Sequence, residues 1–303
     1  MQPSRLRIWA SLATLVLIWG TTWAAIRVGL QGIPPLTGVA LRFTIAGAVL
    51  LTLVPVFKVR LGTTRRERLL WLANGAFTFC ISYGILYWAE QWVPSGLAAV
   101  LFATYPLLVA LLAHFVLPGE RLTRTRGLGV LIGFAGVAVI FSEDFRTLLG
   151  PQVAFAAAVM LLCPLSAAIG SVTVKKWGQE IHPLSMATVP MLLTGAVMGL
   201  LSRLIEPDRG LTFNGPSILA VSYLALVGSA VPFTLYFWLL KNLPATRLSL
   251  INYAIPVVAV TVGSVFFDEP VTLRVLLGAA LVIAGTAVAM RTRKGKEDTE
   301  RPA

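Results

Sequence analysis

Charge is scarce in this sequence. Only 13% of its 303 residues are Asp, Glu, Lys or Arg, about half the share found in an average soluble domain. Cysteine and histidine are scarcer still: Cys80, Cys163, His114 and His182 are all there are. Two of each leave no disulfide framework and no Cys/His spacing for a metal, so no metal or cofactor is expected. Both cysteines lie in apolar runs and read as packing. The phosphate-cradling pattern GxxxxGK[ST] is missing, and GSVTVKK at 170–176 is only superficially like it, so nothing points to ATP hydrolysis. HExxH is missing too, and no apolar stretch carries a Ser/His/Asp set. The chain is not read as an enzyme.

What fills the space is apolar. Hydrophobic residues make up 57%, with a mean hydropathy of +0.81. That is the composition of an integral membrane protein. Ten apolar stretches, near 8–29, 36–56, 69–90, 95–116, 127–142, 152–174, 184–203, 217–239, 246–267 and 273–290, are separated by short polar breaks. Each approaches the ~20 residues that cross ~30 Å of hydrocarbon as a helix. The expected fold is all-α, with ten transmembrane helices. The first stretch is read as a retained helix rather than a cleaved leader, because it runs on past Trp23.

One pattern is written twice. Pro94 and Pro106 align with Pro244 and Pro256; Glu120, Gly129 and Gly136 align with Glu269, Gly278 and Gly285. Tyr87 aligns with Tyr236, and Gly47 with Gly195. Five stretches lie on each side of SEDFRTLLGP at 142–151. An odd number of spans per copy turns the second copy upside down, as in the inverted repeats of many secondary transporters. The expected organisation is a first five-helix repeat at 1–142, an inverted second repeat at 143–290, and a cytoplasmic tail at 291–303. With both termini inside, most of the 25 basic residues fall on the cytoplasmic side. Only Arg27, Arg146, Arg203, Arg209 and Arg274 fall outside, and Arg42 lies within a span. This explains a net charge of +12 without nucleic acid: the basic residues line membrane borders, where lipid headgroups are the expected partner.

Few residues could carry chemistry. Arg42 sits about two turns inside the second stretch, and a charge at that depth is costly. It either snorkels to the headgroups or faces the interior, where it could pair with Glu90 or hold a substrate carboxylate. The positions aligned with Arg42 and Glu90 are Pro190 and Leu239, so neither charge is duplicated. Trp19, Thr22, Trp23 and Ile26 form a stripe that lines a cavity or packs on a neighbouring helix. Trp9, Trp71, Trp88, Trp92 and Trp177 fall near span ends and read as interfacial belt residues. Pro106, Pro164, Pro232 and Pro256 lie inside spans, where a proline frees a carbonyl that then needs a partner or a wet cavity. Tyr83, Tyr87, Tyr105, Tyr236, Asn252 and Tyr253 supply hydroxyl and amide groups in an apolar shell. They suit a small amphipathic ligand, or else satisfy one another. Glu90 and His114 are the candidate proton carriers. Glu120 and Glu269 stand at helix borders beside the capping residues Thr123 and Thr272 and read as structural.

The segments WGTTWAAIRVGLQGIPPLTGVALRF, YWAEQWVPSGLAAVLFATYPLLVALLAHFVLPGERLTRTRGLGVLIGFAGVAVI and the second copy from Pro244 resemble the EamA-type ten-helix branch of the drug/metabolite transporter superfamily. Arg42 falls on that family's arginine before phenylalanine, and Pro106 and Glu120 on its TYP and GER positions. Asp268-Glu269-Pro270 departs from the more usual Gly-Glu at a border loop. The resemblance implies export of amino acids, other metabolites or toxic compounds across a bacterial inner membrane. It also implies a central cavity bordered by helices one, three, four, six, eight and nine, with helices five and ten apart from it. Substrates vary too much within the family for the particular one to be inherited this way. A homodimer and a non-transporting receptor or scaffold stay open.

Overall fold

The computed structural model describes residues 3–140, 142, 150–207, 210–267 and 272–290. The expected repeat boundary at 143, the tail at 291–303, Asp268 to Pro270 and the outer arginines Arg146 and Arg209 lie outside the described residues. Those described form helices and connections, with no strand among them. Eight helices are long and apolar enough to cross a membrane: Arg5–Gly29, Pro35–Val56, Arg65–Ala89, Leu97–Val116, Pro151–Trp177, Pro183–Ile205, Gly215–Asn242 and Leu273–Met290. Two others, Arg124–Ile140 and Ile251–Phe267, have 17 residues each and occupy the places of the fifth and ninth stretches. At 1.5 Å per residue they reach about 25 Å, slightly short of the full hydrocarbon thickness. The helices are numbered below in this chain order, with the Arg124–Ile140 helix fifth and the Ile251–Phe267 helix ninth.

Prolines break the rods where their missing N–H predicts. The fourth helix divides at Ala103–Thr104, just ahead of Pro106. The sixth is irregular at Leu161, ahead of Pro164. The eighth passes through a π-helical turn at Leu226–Ala230, ahead of Pro232. A second π turn occupies Gly75–Ile81 in the third helix. The third and eighth helices are the pair in which Tyr87 aligns with Tyr236, so the two wide turns fall at matching places. π turns are rare and gather at functional sites.

Two helix pairings dominate the packing: second with seventh, and fifth with tenth. Glycine makes both possible. A Cβ on Gly47 would lie 2.8 Å from Leu192 Cγ, and one on Gly195 would strike Thr44 Oγ1. A Cβ on Gly136 would lie 2.7 Å from Gly278 O, and one on Gly278 2.6 Å from Gly136 O. Gly129 and Gly285 approach each other's carbonyls in the same way. Without a hydrophobic drive between helices in lipid, such close backbone contact supplies the association. The contacts are reciprocal: each aligned glycine meets its counterpart's helix at the corresponding place. Two elements related by a two-fold axis would meet in this manner.

Carboxylates tie the helix ends. Glu120, just past the end of the fourth helix, accepts from Ala245 N at 2.8 Å and Thr246 N at 2.9 Å, capping the short helix Ala245–Ser249 that leads into the ninth. Glu206, at the end of the seventh, accepts from Leu36 N at 3.1 Å and Thr37 N at 3.3 Å at the start of the second. Each satisfies helix-terminal N–H groups that have no partner within their own helix. Thr123 and Thr272 cap Arg126 N and Val275 N.

Candidate functional site

A cavity of ≈ 80 Å³ lies inside the bundle. That is room for several waters or part of a small ligand. The first helix presents Trp19, Thr22, Trp23 and Ile26 to it, one continuous stripe. The third presents Thr78, Ser82, Tyr83 and Leu86. Phe102 and Tyr105 come from either side of the break in the fourth helix, Ala167 and Ser171 from the sixth, Phe233 and Tyr236 from the eighth, and Asn252 and Ile255 from the ninth segment. The second helix adds Arg42 alone. Among the described residues the fifth, seventh and tenth helices contribute nothing to the lining.

Arg42 faces the interior and is 1% exposed, so it does not snorkel. Its Nε donates to Ser229 Oγ at 2.7 Å, Nη2 to Gly228 O at 3.1 Å and Nη1 to the Tyr87 hydroxyl at 3.3 Å. The middle bond follows from the sequence. Pro232 has no N–H to return to the carbonyl four residues earlier, which is Gly228, and the guanidinium supplies the donor instead. The guanidinium also lies 4.8 Å from the Tyr83 ring centroid, where the π face is attractive to a cation. Three of its five N–H groups are thereby used, leaving two for a ligand.

Glu90 does not hydrogen-bond to Arg42. It is 6% exposed, and neither carboxylate oxygen has a hydrogen-bond partner. Four other buried polar atoms lack hydrogen-bond partners among the described residues: Trp19 Nε1 and Thr78 Oγ1, whose residues line the cavity, and Asn74 Oδ1 and Ser217 Oγ, whose residues do not. Buried polar atoms are almost always satisfied by protein or ordered water, so orphans in a cavity wall are the groups a guest would satisfy.

Tyr105, Ser171 and Tyr236 close a triangle of hydroxyls in the wall. Tyr105 lies 2.7 Å from both others, and the Tyr236 hydroxyl donates to Ser171 at 2.9 Å. Aromatic rings surround this polar knot: Trp19 packs against Phe233 at 5.6 Å and Tyr236 at 5.7 Å, and Trp23 edges onto Phe102 at 5.8 Å.

The cavity therefore gathers Trp19, Thr22, Trp23, Arg42, Tyr83, Tyr105, Tyr236 and Asn252 from the sequence candidates. Tyr87 touches it only through Arg42. Tyr253 points elsewhere, donating to Val130 O at 2.8 Å and packing over Gly133. Pro106, Pro256 and Glu90 do not line it. His114 is exposed near the end of the fourth helix, where its Nδ1 accepts from Leu122 N at 3.2 Å. Thr78, Ser82, Phe102, Ser171 and Phe233 line the cavity without having stood out in the sequence. The spacing of Thr78, Ser82 and Leu86, one turn apart, is the signal that could have found the third-helix stripe.

Comparison with known proteins agrees with this architecture. The EamA-like transporter family matches twice, over residues 7–142 and 154–291. The chain is 31% identical over 263 residues to the uncharacterized inner membrane transporter YedA of Escherichia coli (strain K12), covering 86% of this chain and 82% of that one. It is 26% identical over 280 residues to the uncharacterized transporter YoaV of Bacillus subtilis (strain 168), covering 92% and 95%. A solved crystal structure superposes with a TM-score of 0.80 at 25% identity, over 95% of this chain and 98% of the other.

Proposed function

Because this chain belongs to the EamA-like transporter family and is a multi-pass membrane protein, we propose that it is a secondary carrier that exports small amphipathic metabolites. Amino acids and related compounds, or drugs of similar size and character, are the substrate class. The observation that carries this is a cavity with a buried guanidinium, two orphaned polar atoms and walls in which aromatic and aliphatic side chains surround a few hydroxyl and amide groups. Such a site favours a ligand with one polar or anionic end and one apolar end. Arg42 is the anion contact, and Trp19, Trp23, Phe102 and Phe233 hold the apolar part. A scaffold has no need of polar groups left unpaired around a central cavity, and a receptor has no need of two inverted copies. An enzyme would need a nucleophile and base beside it, whereas a carrier needs neither.

In this reading the halves 1–142 and 143–290 are inverted five-helix repeats that rock about the reciprocal glycine contacts, exposing the cavity to each side in turn. Pro106 and Pro256 lie near the pivot. The Tyr105–Ser171–Tyr236 triangle joins the two halves and must part when the cavity opens to the other side. The protein sits in a bacterial inner membrane with both termini cytoplasmic. Glu90, a buried acid with no hydrogen-bond partner, is a better proton carrier than His114, whose acceptor nitrogen is occupied.

The test is counterflow in proteoliposomes with labelled amino acids and cationic dyes, with and without a pH gradient. Saturable counterflow of any member supports the carrier, and acceleration by the gradient supports coupling through Glu90. Folded protein that moves none of the panel favours the receptor reading.

A further inference from the structure

A second site lies at the basic end, away from the cavity. Arg121, Arg126 and Arg247 border a narrow groove whose lining includes the apolar side chains of Ala110, Val130 and Leu250. These residues come from the fourth, fifth and ninth helices and the turns beside them, so the groove bridges the two copies of the repeated pattern. The side chains of Arg121 and Arg247 are exposed and make no hydrogen bond or ion pair among the described residues. Arg126 Nη1 donates to Arg121 O at 3.2 Å, which holds its guanidinium at the rim. Glu120 is beside them in sequence, but both its oxygens are engaged by the short helix leading into the ninth. The fifth helix begins here, at Arg124, with no acidic residue in its first turn, so the positive pole of its dipole adds to the three arginines. Just beyond, Leu128 and Leu131 of the same helix are 56% and 55% exposed, an apolar path leading away from the rim.

We propose that this groove binds the phosphate of an anionic phospholipid, such as phosphatidylglycerol, with the acyl chains running along the fifth helix. Charge complementarity selects an anion, and the adjacent exposed leucines select one attached to a hydrocarbon chain. Basic pockets between helix ends bind acidic headgroups by this chemistry. A bound lipid would tether the fourth and fifth helices to the ninth, the elements that must shift in the proposed rocking motion. The phosphate contact itself does not depend on the transport reading.

The experiment is native mass spectrometry of the full chain in detergent, titrated with phosphatidylglycerol, phosphatidylcholine and inorganic phosphate. The Arg121→Gln/Arg247→Gln variant removes two unpartnered guanidinium groups and leaves the hydrogen bonds of Arg126 and Glu120 in place. The Arg65→Gln/Arg66→Gln variant removes the same charge from the same end of the molecule and serves as control. Wild type should prefer phosphatidylglycerol to phosphatidylcholine, and the first variant should lose that affinity by roughly thirtyfold, on the scale of one arginine–headgroup attraction for each residue removed. Arg247→Gln alone should lose roughly fivefold, a milder change that guards against misfolding in the double variant. Equal losses in the control would mean diffuse attraction to the basic face and would overturn the site. Displacement of the lipid by inorganic phosphate at matching concentration would assign the groove to a free anion and overturn the lipid. Unchanged lipid affinity in both groove variants would overturn the proposal altogether.

Discussion

Replacing Arg42 with alanine separates its two possible duties, holding helices together and holding substrate. The side chain makes three hydrogen bonds, two to the eighth helix and one to Tyr87. Bonds of this kind, with a charged donor, contribute about 1.5–3 kcal/mol each. Against that stands the cost of burying a guanidinium with no carboxylate partner, several kcal/mol in effective terms. The two nearly cancel, and water entering from the adjoining cavity can satisfy Ser229 Oγ and Gly228 O once the arginine is gone. The variant should therefore fold and melt within about 2 kcal/mol of wild type. Transport should not be spared. Loss of one charge-assisted contact to a substrate carboxylate is again about 1.5–3 kcal/mol, which raises KM for that substrate by about 10- to 150-fold. The assay is initial-rate counterflow of a carboxylate substrate and its neutral amide, in wild type, Arg42→Ala and Arg42→Lys. The alanine variant should lose the carboxylate substrate and keep the amide. Lysine retains the charge without the planar fork and should fall between. A wild-type KM for the carboxylate in Arg42→Ala would refute the anion contact. Equal loss of both substrates in folded protein would make Arg42 a strut between the second and eighth helices and nothing more.

Glu120→Ala strips the cap from the short helix leading into the ninth, leaving two backbone donors and the Thr246 hydroxyl without their acceptor; the purified protein should lose about 3 kcal/mol of stability, with Glu120→Gln intermediate, as read from thermal melting. Gly136→Ala places a Cβ 2.7 Å from backbone atoms of both Gly278 and Val282 and should lower the yield of folded protein sharply. Gly119→Ala, at φ +83 with nothing within 4 Å, should cost only about 1 kcal/mol, and equal damage from the two would disprove the close-packing argument. His182 caps the seventh helix through Nδ1, which accepts from Leu184 N at 3.2 Å and must be unprotonated to do so. Partial burial, and then the nearby Lys241 charge, hold its pKa below the usual histidine value. Its stabilising contribution is therefore present above the unfolded pKa and lost as pH falls through the lower folded value. Melting temperature should drop more between pH 7.5 and 5 in wild type than in His182→Asn, whose cap does not titrate, and identical pH profiles would count against the cap.

Much of the architecture was legible because lipid leaves few options. A run of apolar residues near 20 long reads as a helix, and glycines recurring at matched places in both copies read as close contacts. Gly129 and Gly136 do pack on the helix of Gly285 and Gly278. The ninth helix is shorter than its apolar run because Leu250 separates it from the short Ala245–Ser249 helix, and irregularities at Ala103–Thr104 and Leu161 divide the fourth and sixth. Site residues were legible where one helix supplied a stripe, as with Trp19, Thr22, Trp23 and Ile26. They were hidden where the partner came from a distant helix. Nothing near Arg42 in sequence announces Ser229, 187 residues away, and nothing near Tyr105 announces Ser171. Tyr253 looked like Tyr105 on paper, but its hydroxyl is taken by the fifth helix, whose Gly133 leaves room for the ring.

The aligned features and the unaligned ones divide by purpose. Glycine contacts, π turns and the Pro106/Pro256 pair recur at matching places, and all of them govern how helices approach and bend. Arg42 and Glu90 do not recur: their aligned positions hold Pro190 and Leu239. A scaffold that exchanges two mirror states of access benefits from like contacts in each half, because neither state is then strongly favoured by packing. A binding site gains nothing from duplication, since two guanidinium groups facing one small cavity would repel each other and double the desolvation cost. The eighth helix shows how the two requirements meet in one place. Its wide turn has a counterpart in the third helix, but its Pro232 aligns with Tyr83, and the carbonyl freed at Gly228 is taken by the single arginine of the second helix. Bending the rod and seating the charge are thus one event, and a change at Pro232 would disturb both.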